Sequence, residues 1–121
     1  MIALIVDDDA PNRDLLGRML SRLGWLSDSA SCCAEACDAC RRARYDYVLL
    51  DICMPGTDGY ACAKAILAVY AQEERATGSP AHTPVFIAVS GADGLSGDDR
   101  SVFSRFLQKP YGLSELKAIL N

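Results

Sequence analysis

Apolar runs along the chain end abruptly on polar residues. IALIV over 2–6 runs into Asp7, Asp8 and Asp9, YVLL over 47–50 into Asp51, and VFIAV over 85–89 into Ser90 and Gly91. Short unbroken apolar runs mark strands buried on both faces. Elsewhere the period is helical. Pro11 suits the first turn of a helix, Leu15, Leu16, Met19, Leu20 and Leu23 recur at helical spacing, and Gly24 supplies the stop. WLSDSA at 25–30 reads as a weak, short strand, and residues 33–43 as a helix with Cys33, Cys37 and Cys40 on one face. A further helix from about Gly59 to Gln72 turns Ala63, Ile66, Leu67 and Tyr70 inward. Residues 71–83 are polar, are broken by Gly78 and Pro80, and read as a helix end plus a loop. The stretch 91–104 predicts a poor helix, since Gly94 and Gly97 each destabilise a helix interior by about 1 kcal/mol. RFLQ at 105–108 is a short strand before Lys109 and Pro110, and LSELKAIL at 113–120 is a closing amphipathic helix.

Strands alternating with helices imply α/β architecture, a doubly wound parallel sheet of five strands with helices on both faces. Right-handed crossovers restrict its topology further. At 121 residues, with no repeat or low-complexity tract, residues 1–121 are expected to form one domain.

Composition removes several classes of function. Half of the residues are hydrophobic and 23% are charged, which is globular rather than disordered. No apolar run approaches the ~20 residues of a membrane span, and MIALIVDDD lacks the basic start of a signal peptide. A cytoplasmic protein without membrane contact is the expectation. The net charge of −4 argues against a nucleic-acid footprint. The cluster of Arg41, Arg42 and Arg44 reads as a solvated helix end favoured by the dipole. Cys33, Cys37 and Cys40 are expected to pack as small apolar residues. Their spacing lacks the paired pattern of a zinc site, and a disulfide framework is not expected of a cytosolic chain.

In an open α/β sheet, function gathers beyond the carboxyl-terminal ends of the strands. Those ends deliver Asp7 and Asp8, then Asp51, Ser90 and Lys109, from four distant segments. Two carboxylates ~4 Å apart repel by on the order of 4 kcal/mol at an effective dielectric near 20, so positive charge must compensate. Hard oxygen ligands suit Mg²⁺, which keeps waters and welcomes a phosphate oxygen. Lys109 adds a fixed cation, and Asp51 is then placed to act as a nucleophile forming an acyl phosphate. Each residue also has a plain reading. Asp8 and Asp9 fit helix N-terminal acids, Asp51 a turn before Pro55, Ser90 a loop hydroxyl and Lys109 a surface charge. Their joint placement at successive strand ends favours a site.

LIVDDD, LLDICMPGTDG, AVSG and LQKP together resemble the signatures of response-regulator receiver domains of two-component signalling, over essentially the whole chain. The resemblance implies a flavodoxin-like (βα)5 fold with strand order 2-1-3-4-5. It implies Asp51 as phosphoacceptor, and Asp7, Asp8 and Asp51 with the backbone carbonyl of Cys53 as the Mg²⁺ site. Ser90, Gly91 and Lys109 would bind the phosphoryl group, Phe106 would be the switch aromatic, and Lys109–Pro110 would be cis. The donor would be a phosphohistidine on a histidine kinase or histidine phosphotransfer protein, because the chain's one histidine, His82, sits in no kinase-like motif. Such a domain is a signalling phosphoacceptor rather than an enzyme with its own substrate.

The sequence departs from the family in places. Ser90 to Lys109 is about one helical turn short, which puts the fourth helix in question, and the stretch before the fourth strand is long, as in receivers of hybrid kinases. Phe106 lacks a tyrosine hydroxyl. Cys53 and Ala92 offer no group to steer a hydrolytic water, which predicts a long-lived phosphoryl group. A receiver-like interaction module that is never phosphorylated stays open as an alternative. So does a Mg-dependent aspartyl-phosphate phosphatase of the haloacid-dehalogenase type, although Cys53 stands where its second acid belongs. A flavodoxin is disfavoured by the repulsion of Asp7, Asp8 and Asp9 for a bound phosphate. Stand-alone regulator and excised hybrid-kinase domain both fit, with the long loop favouring the latter, and a homodimer or intramolecular kinase or output domains stay open as partners.

Overall fold

The apolar runs at 2–6, 47–50 and 85–89 are all strands in the computed structural model, which describes residues 1–52, 59–78, 83–91 and 102–120. The elements are β1 (Ile2–Val6), α1 (Ala10–Arg22), β2 (Leu26–Ala30), α2 (Cys33–Arg42), β3 (Tyr47–Asp51), α3 (Gly59–Thr77), β4 (Val85–Ser90), β5 (Phe103–Gln108) and α4 (Leu113–Leu120). The strands form one parallel sheet in the order β2-β1-β3-β4-β5. The helix expected over 91–104 falls, apart from Gly91 and the end of that stretch, outside the described residues, as do Cys53, Pro55, Pro80, His82 and Ala92.

The sheet is buried on both sides, which is why its central strands read as unbroken apolar runs. Leu4, Val6, Val48, Leu50, Phe86 and Ala88 pack with Ala36 and Cys40 of α2 and Ala63 and Ile66 of α3. Their neighbours Ala3, Ile5, Leu49, Ile87 and Val89 face the other way, against Leu16 and Leu20 of α1 and Leu116 and Leu120 of α4. Such a strand tolerates a polar side chain only where it emerges from the helical layers. The first acid or hydroxyl after each run therefore lies at the sheet's carboxyl-terminal edge.

The expected α1 stripe is narrower than its sequence suggests. Leu16 and Leu20 are fully buried, but Leu15 is 53% exposed. The stop at Gly24 holds: its φ of 83° is left-handed, and the following Trp25 amide donates to the Leu20 carbonyl at 2.9 Å. Helix α3 runs past Gln72 to Thr77. Ala71, Glu73, Glu74, Arg75 and Ala76 are sound helix formers, Arg44 pairs with Glu73 at 3.0 Å, and the Gly78 amide closes the last turn on the Glu74 carbonyl at 2.8 Å. The helix end read at the start of 71–83 thus reaches Thr77.

Strand β5 begins at Phe103 rather than at Arg105. Its register against β4 slips, with Phe86 opposite Phe103 but Ile87 opposite Arg105. The extra residue, Ser104, lets Phe103 and Phe106 both face the α2–α3 core and turns Arg105 to the other side. There the Arg105 guanidinium lies 5.5 Å from the Tyr47 ring centre, and it donates to the Tyr47 hydroxyl at 3.2 Å and to the Ile119 carbonyl. Trp25 meets Tyr47 edge-on at 5.1 Å. This cluster ties the end of α4 to the edge of the sheet opposite the strand tips.

One cysteine expectation is corrected. Cys40 is buried, and Cys33 and Cys37 pack partly against the α2–α3 core, as their common helix face predicts. Cys33, however, is bonded to Cys62 as a disulfide, with Cα atoms 5.7 Å apart. Helices α2 and α3 lie side by side on one face of the sheet, and their first turns meet within the span a disulfide requires.

Candidate functional site

The carboxyl-terminal edge collects the charged groups. Asp7 follows β1, its amide donating to the Ala30 carbonyl at 3.1 Å. Its Oδ1 accepts the Asp9 amide at 2.9 Å. Asp9 caps α1, its side chain accepting from the Asn12 amide at 3.3 Å. The helix-cap reading is thus right for Asp9, whereas Asp8 turns towards Asp7. Asp51 ends β3, and the following Ile52 amide donates to Val89 at 3.1 Å, holding the strand tip against β4. Asp7 and Asp51 are each only 6% exposed, while Asp8 is open to solvent. One carboxylate oxygen from each of Asp7, Asp8 and Asp51 lies within 4.8 Å of the others.

Lys109 closes the cluster. Its amide donates to the Ser90 carbonyl at 2.8 Å, and the Lys109–Pro110 peptide is cis. Its Nζ stands 3.4 Å from Asp51 Oδ2 and 3.9 Å from Asp7 Oδ2. Ser90 is fully buried at the tip of β4, beside the Asp51 strand end. Gly91 is exposed and Phe106 half-buried.

Burial pushes the Asp7 carboxyl above the usual carboxylate range. The neighbouring Asp51 charge acts in the same direction, and the Asp9 amide and Lys109 oppose it. The cluster is thus short of positive charge. Its oxygens are hard donors, two buried and one facing water, which suits a small divalent cation that keeps part of its hydration shell.

Two participants were not read from the sequence. Arg13 donates to the Asp7 backbone carbonyl at 2.7 Å, fixing the turn that aims Asp7. The only signal was its position one helical turn past the cap residue Asp9. Tyr111 sits close enough that the charges of Asp7 and Asp51 add to burial in pushing its phenol up. Its place two residues after Lys109 was the available clue.

Paired acids, an acidic strand tip and a lysine on a cis-proline turn therefore meet at one edge of a doubly wound α/β sheet. The family profile for the response regulator receiver domain matches residues 3–121, and the chain belongs to that family. It is 32% identical over 123 residues to the sensor histidine kinase AtsR of Burkholderia thailandensis, covering 98% of this chain and 19% of AtsR. A response regulator receiver domain (CheY-like) from Methylobacillus flagellatus superposes with a TM-score of 0.83 at 30% identity, covering 99% of this chain and 95% of that one. The receiver domain of the sensor histidine kinase PA1611 from Pseudomonas aeruginosa PAO1 was solved with a magnesium ion in its active-site cleft. It superposes with a TM-score of 0.76 at 27% identity, covering 98% and 93% of the two chains. The chain spans less than half the length of the curated relatives it matches. Among the described residues no helix is long and apolar enough to cross a membrane.

Proposed function

We propose that this receiver domain accepts a phosphoryl group from a phosphohistidine onto Asp51 and changes conformation in response. The observation that carries the reading is the convergence of Asp7, Asp8 and Asp51 within 4.8 Å, closed by Lys109 Nζ at 3.4 Å from Asp51. Asp7, Asp8 and Asp51 would hold Mg²⁺, with the Cys53 carbonyl as a further ligand. When bound, the ion neutralises charge on the transferring phosphoryl oxygens. An Asp51 carboxylate oxygen attacks phosphorus, the bond from phosphorus to the donor imidazole nitrogen breaks, and that nitrogen keeps the electron pair. The product is an acyl phosphate on Asp51. Lys109 would stabilise the charge on the transferring oxygens. Arg13 and the Asp9 amide keep Asp7 aimed. Ser90 and Gly91 would then close on a phosphoryl oxygen, and Phe106 would turn deeper, shifting the population between two packings.

The donor would be a histidine kinase or phosphotransfer protein. Leu15 stands exposed beside Asn12, Lys109, Pro110 and Tyr111 around a groove of about 250 Å³. It offers such a partner an apolar foothold next to the acids. Leu15→Glu is expected to slow transfer from a phosphohistidine protein by about tenfold while leaving uptake from acetyl phosphate unchanged. Equal slowing with both donors would refute that role.

The central test is intact mass after incubation with acetyl phosphate and Mg²⁺. A gain of one phosphoryl group is expected, lost in Asp51→Asn and on chelation of the metal. Labelling that survives Asp51→Asn overturns the assignment of the acceptor. No labelling of the wild-type chain would favour the unphosphorylated interaction module.

A further inference from the structure

We propose that Cys33 and Cys62 form a reversible thiol–disulfide site, exchanged by low-molecular-weight disulfides of the glutathione class, whose oxidation weakens phosphoryl-group binding at Asp51. The thiol chemistry stands alone; the coupling rests on the reading of Asp51 as acceptor.

The pair is built by the fold. Cys33 is the first residue of α2 and Cys62 lies in the first turn of α3, with Cα atoms 5.7 Å apart. That separation lies within the ordinary span of a disulfide. Access differs between the two sulfurs. Cys62 is 2% exposed, whereas Cys33, at the first position of α2, is partly exposed. Cys33 is therefore the attacked and attacking sulfur, and Cys62 the resolving one.

The exchange balances with the small disulfide as the oxidant and needs no metal. The Cys33 thiolate attacks one sulfur of the small disulfide, whose bond breaks and releases one small thiolate. The Cys62 thiol gives up its proton and attacks Cys33 in the mixed disulfide, expelling the second small thiolate. Two protein thiols are oxidised, one small disulfide is reduced to two thiols, and the protons pass to those products.

The other thiols on α2 do not compete well. Burial pushes Cys37 up and Cys40 up to about 11, so both stay protonated and exchange slowly near neutrality. Cys32 is exposed at the cap of α2. It is the natural site of stray reaction, and it serves as a control.

A physical path joins the pair to the acceptor. One turn before Cys62, Gly59 starts α3 pressed against Ile52, where an added Cβ would lie 2.9 Å from the Ile52 Cα. Ile52 adjoins Asp51. The α3 start therefore cannot shift without moving the acceptor's neighbour. Bonding α3 to α2 holds that start fixed and resists adjustment around a bound phosphoryl group.

The experiment equilibrates the full chain at graded ratios of reduced to oxidised glutathione, then alkylates free thiols and maps the pairs by tandem mass spectrometry. Cys33 and Cys62 should become protected together, reversibly, in wild type and in Cys32→Ser, and not in Cys62→Ser. Beryllofluoride with Mg²⁺ should bind the reduced chain about fivefold more tightly than the oxidised one, and by reciprocity should move the half-oxidation ratio by the same factor. Failure of Cys33 and Cys62 to pair, or pairing that reductant does not reverse, overturns the site. Equal beryllofluoride affinity in both redox states overturns the coupling. Absence of beryllofluoride binding in either state sinks the acceptor reading itself. The thiol titration distinguishes that failure, because it involves no phosphoryl chemistry.

Discussion

Lys109→Met is expected to slow phosphoryl uptake on Asp51 by about 10²–10³, the loss typical when one preorganised charge-stabilising donor is removed. The side chain has two tasks. At rest, its Nζ lies 3.4 Å from Asp51 and 3.9 Å from Asp7 and offsets the repulsion between those carboxylates. Each contact amounts to on the order of 4 kcal/mol at an effective dielectric near 20, before desolvation and solvent screening reduce it. In the proposed transfer the same ammonium would offset charge on the phosphoryl oxygens. Methionine keeps most of the length of the side chain and removes the charge. The fold should lose only about 1–2 kcal/mol, because Lys109 is 29% exposed and water partly replaces it. Added Mg²⁺ should narrow that deficit, since it supplies charge to the same carboxylates. Uptake from acetyl phosphate, followed by intact mass at a temperature where circular dichroism reports both proteins folded, separates chemistry from stability. Uptake within about threefold of wild type would remove Lys109 from the reaction.

Much of the site was legible because of how the sheet is buried. β1, β3 and β4 pack helices on both faces, so their sequences carry no polar residue until they emerge. Asp7, Asp51 and Ser90 announce their position by ending an apolar run. Lys109 was weaker as a signal, because β5 is an edge strand with Ser104 and Gln108 exposed. There the lysine–proline pair, not the run before it, marked the place. Asp8 and Asp9 could not be separated by type, since both fit a helix start. Hydrogen bonding separates them, with Asp9 on the Asn12 amide and Asp8 in the acidic cluster.

What stayed hidden depends on register or on distant pairing. The stripe on α1 predicted Leu15 inward. The helix starts beside the strand tips, and the β5–α4 turn at Pro110 and Tyr111 borders Leu15 without covering it. The start of β5 was missed because Ser104 is an extra residue, and a bulge is visible only once β4 supplies the partner register. The end of α3 was misplaced because a polar composition does not distinguish loop from exposed helix. Glu73 finds Arg44, 29 positions earlier in the sequence, and that contact is tertiary. The cysteines repeat this lesson. Cys33, Cys37 and Cys40 share a helix face, which explained them sufficiently to obscure Cys62, itself 29 residues from Cys33.

Reducing the Cys33–Cys62 bond is expected to lower the stability of the unmodified chain by roughly 3–4 kcal/mol, from the chain-entropy relation for a loop of this length. The bond spans a sequence separation of 29. In the unfolded chain it removes the conformations in which those positions drift apart, and in the folded chain the helices already meet. The folded state therefore loses little on reduction, while the unfolded state gains freedom. On a domain of 121 residues this corresponds to a fall in Tm on the order of 10 °C. The reduced protein should still fold, because the core around Leu50, Ile66 and Tyr70 does not depend on the bond. Thermal melts with and without a dithiol reductant measure the effect, and the double variant Cys33→Ser, Cys62→Ser should melt near the reduced wild type and ignore reductant. A reduced chain that melts within about 2 °C of the oxidised one would mean that the unfolded chain is already constrained between these positions, so that the bond contributes nothing through loop closure.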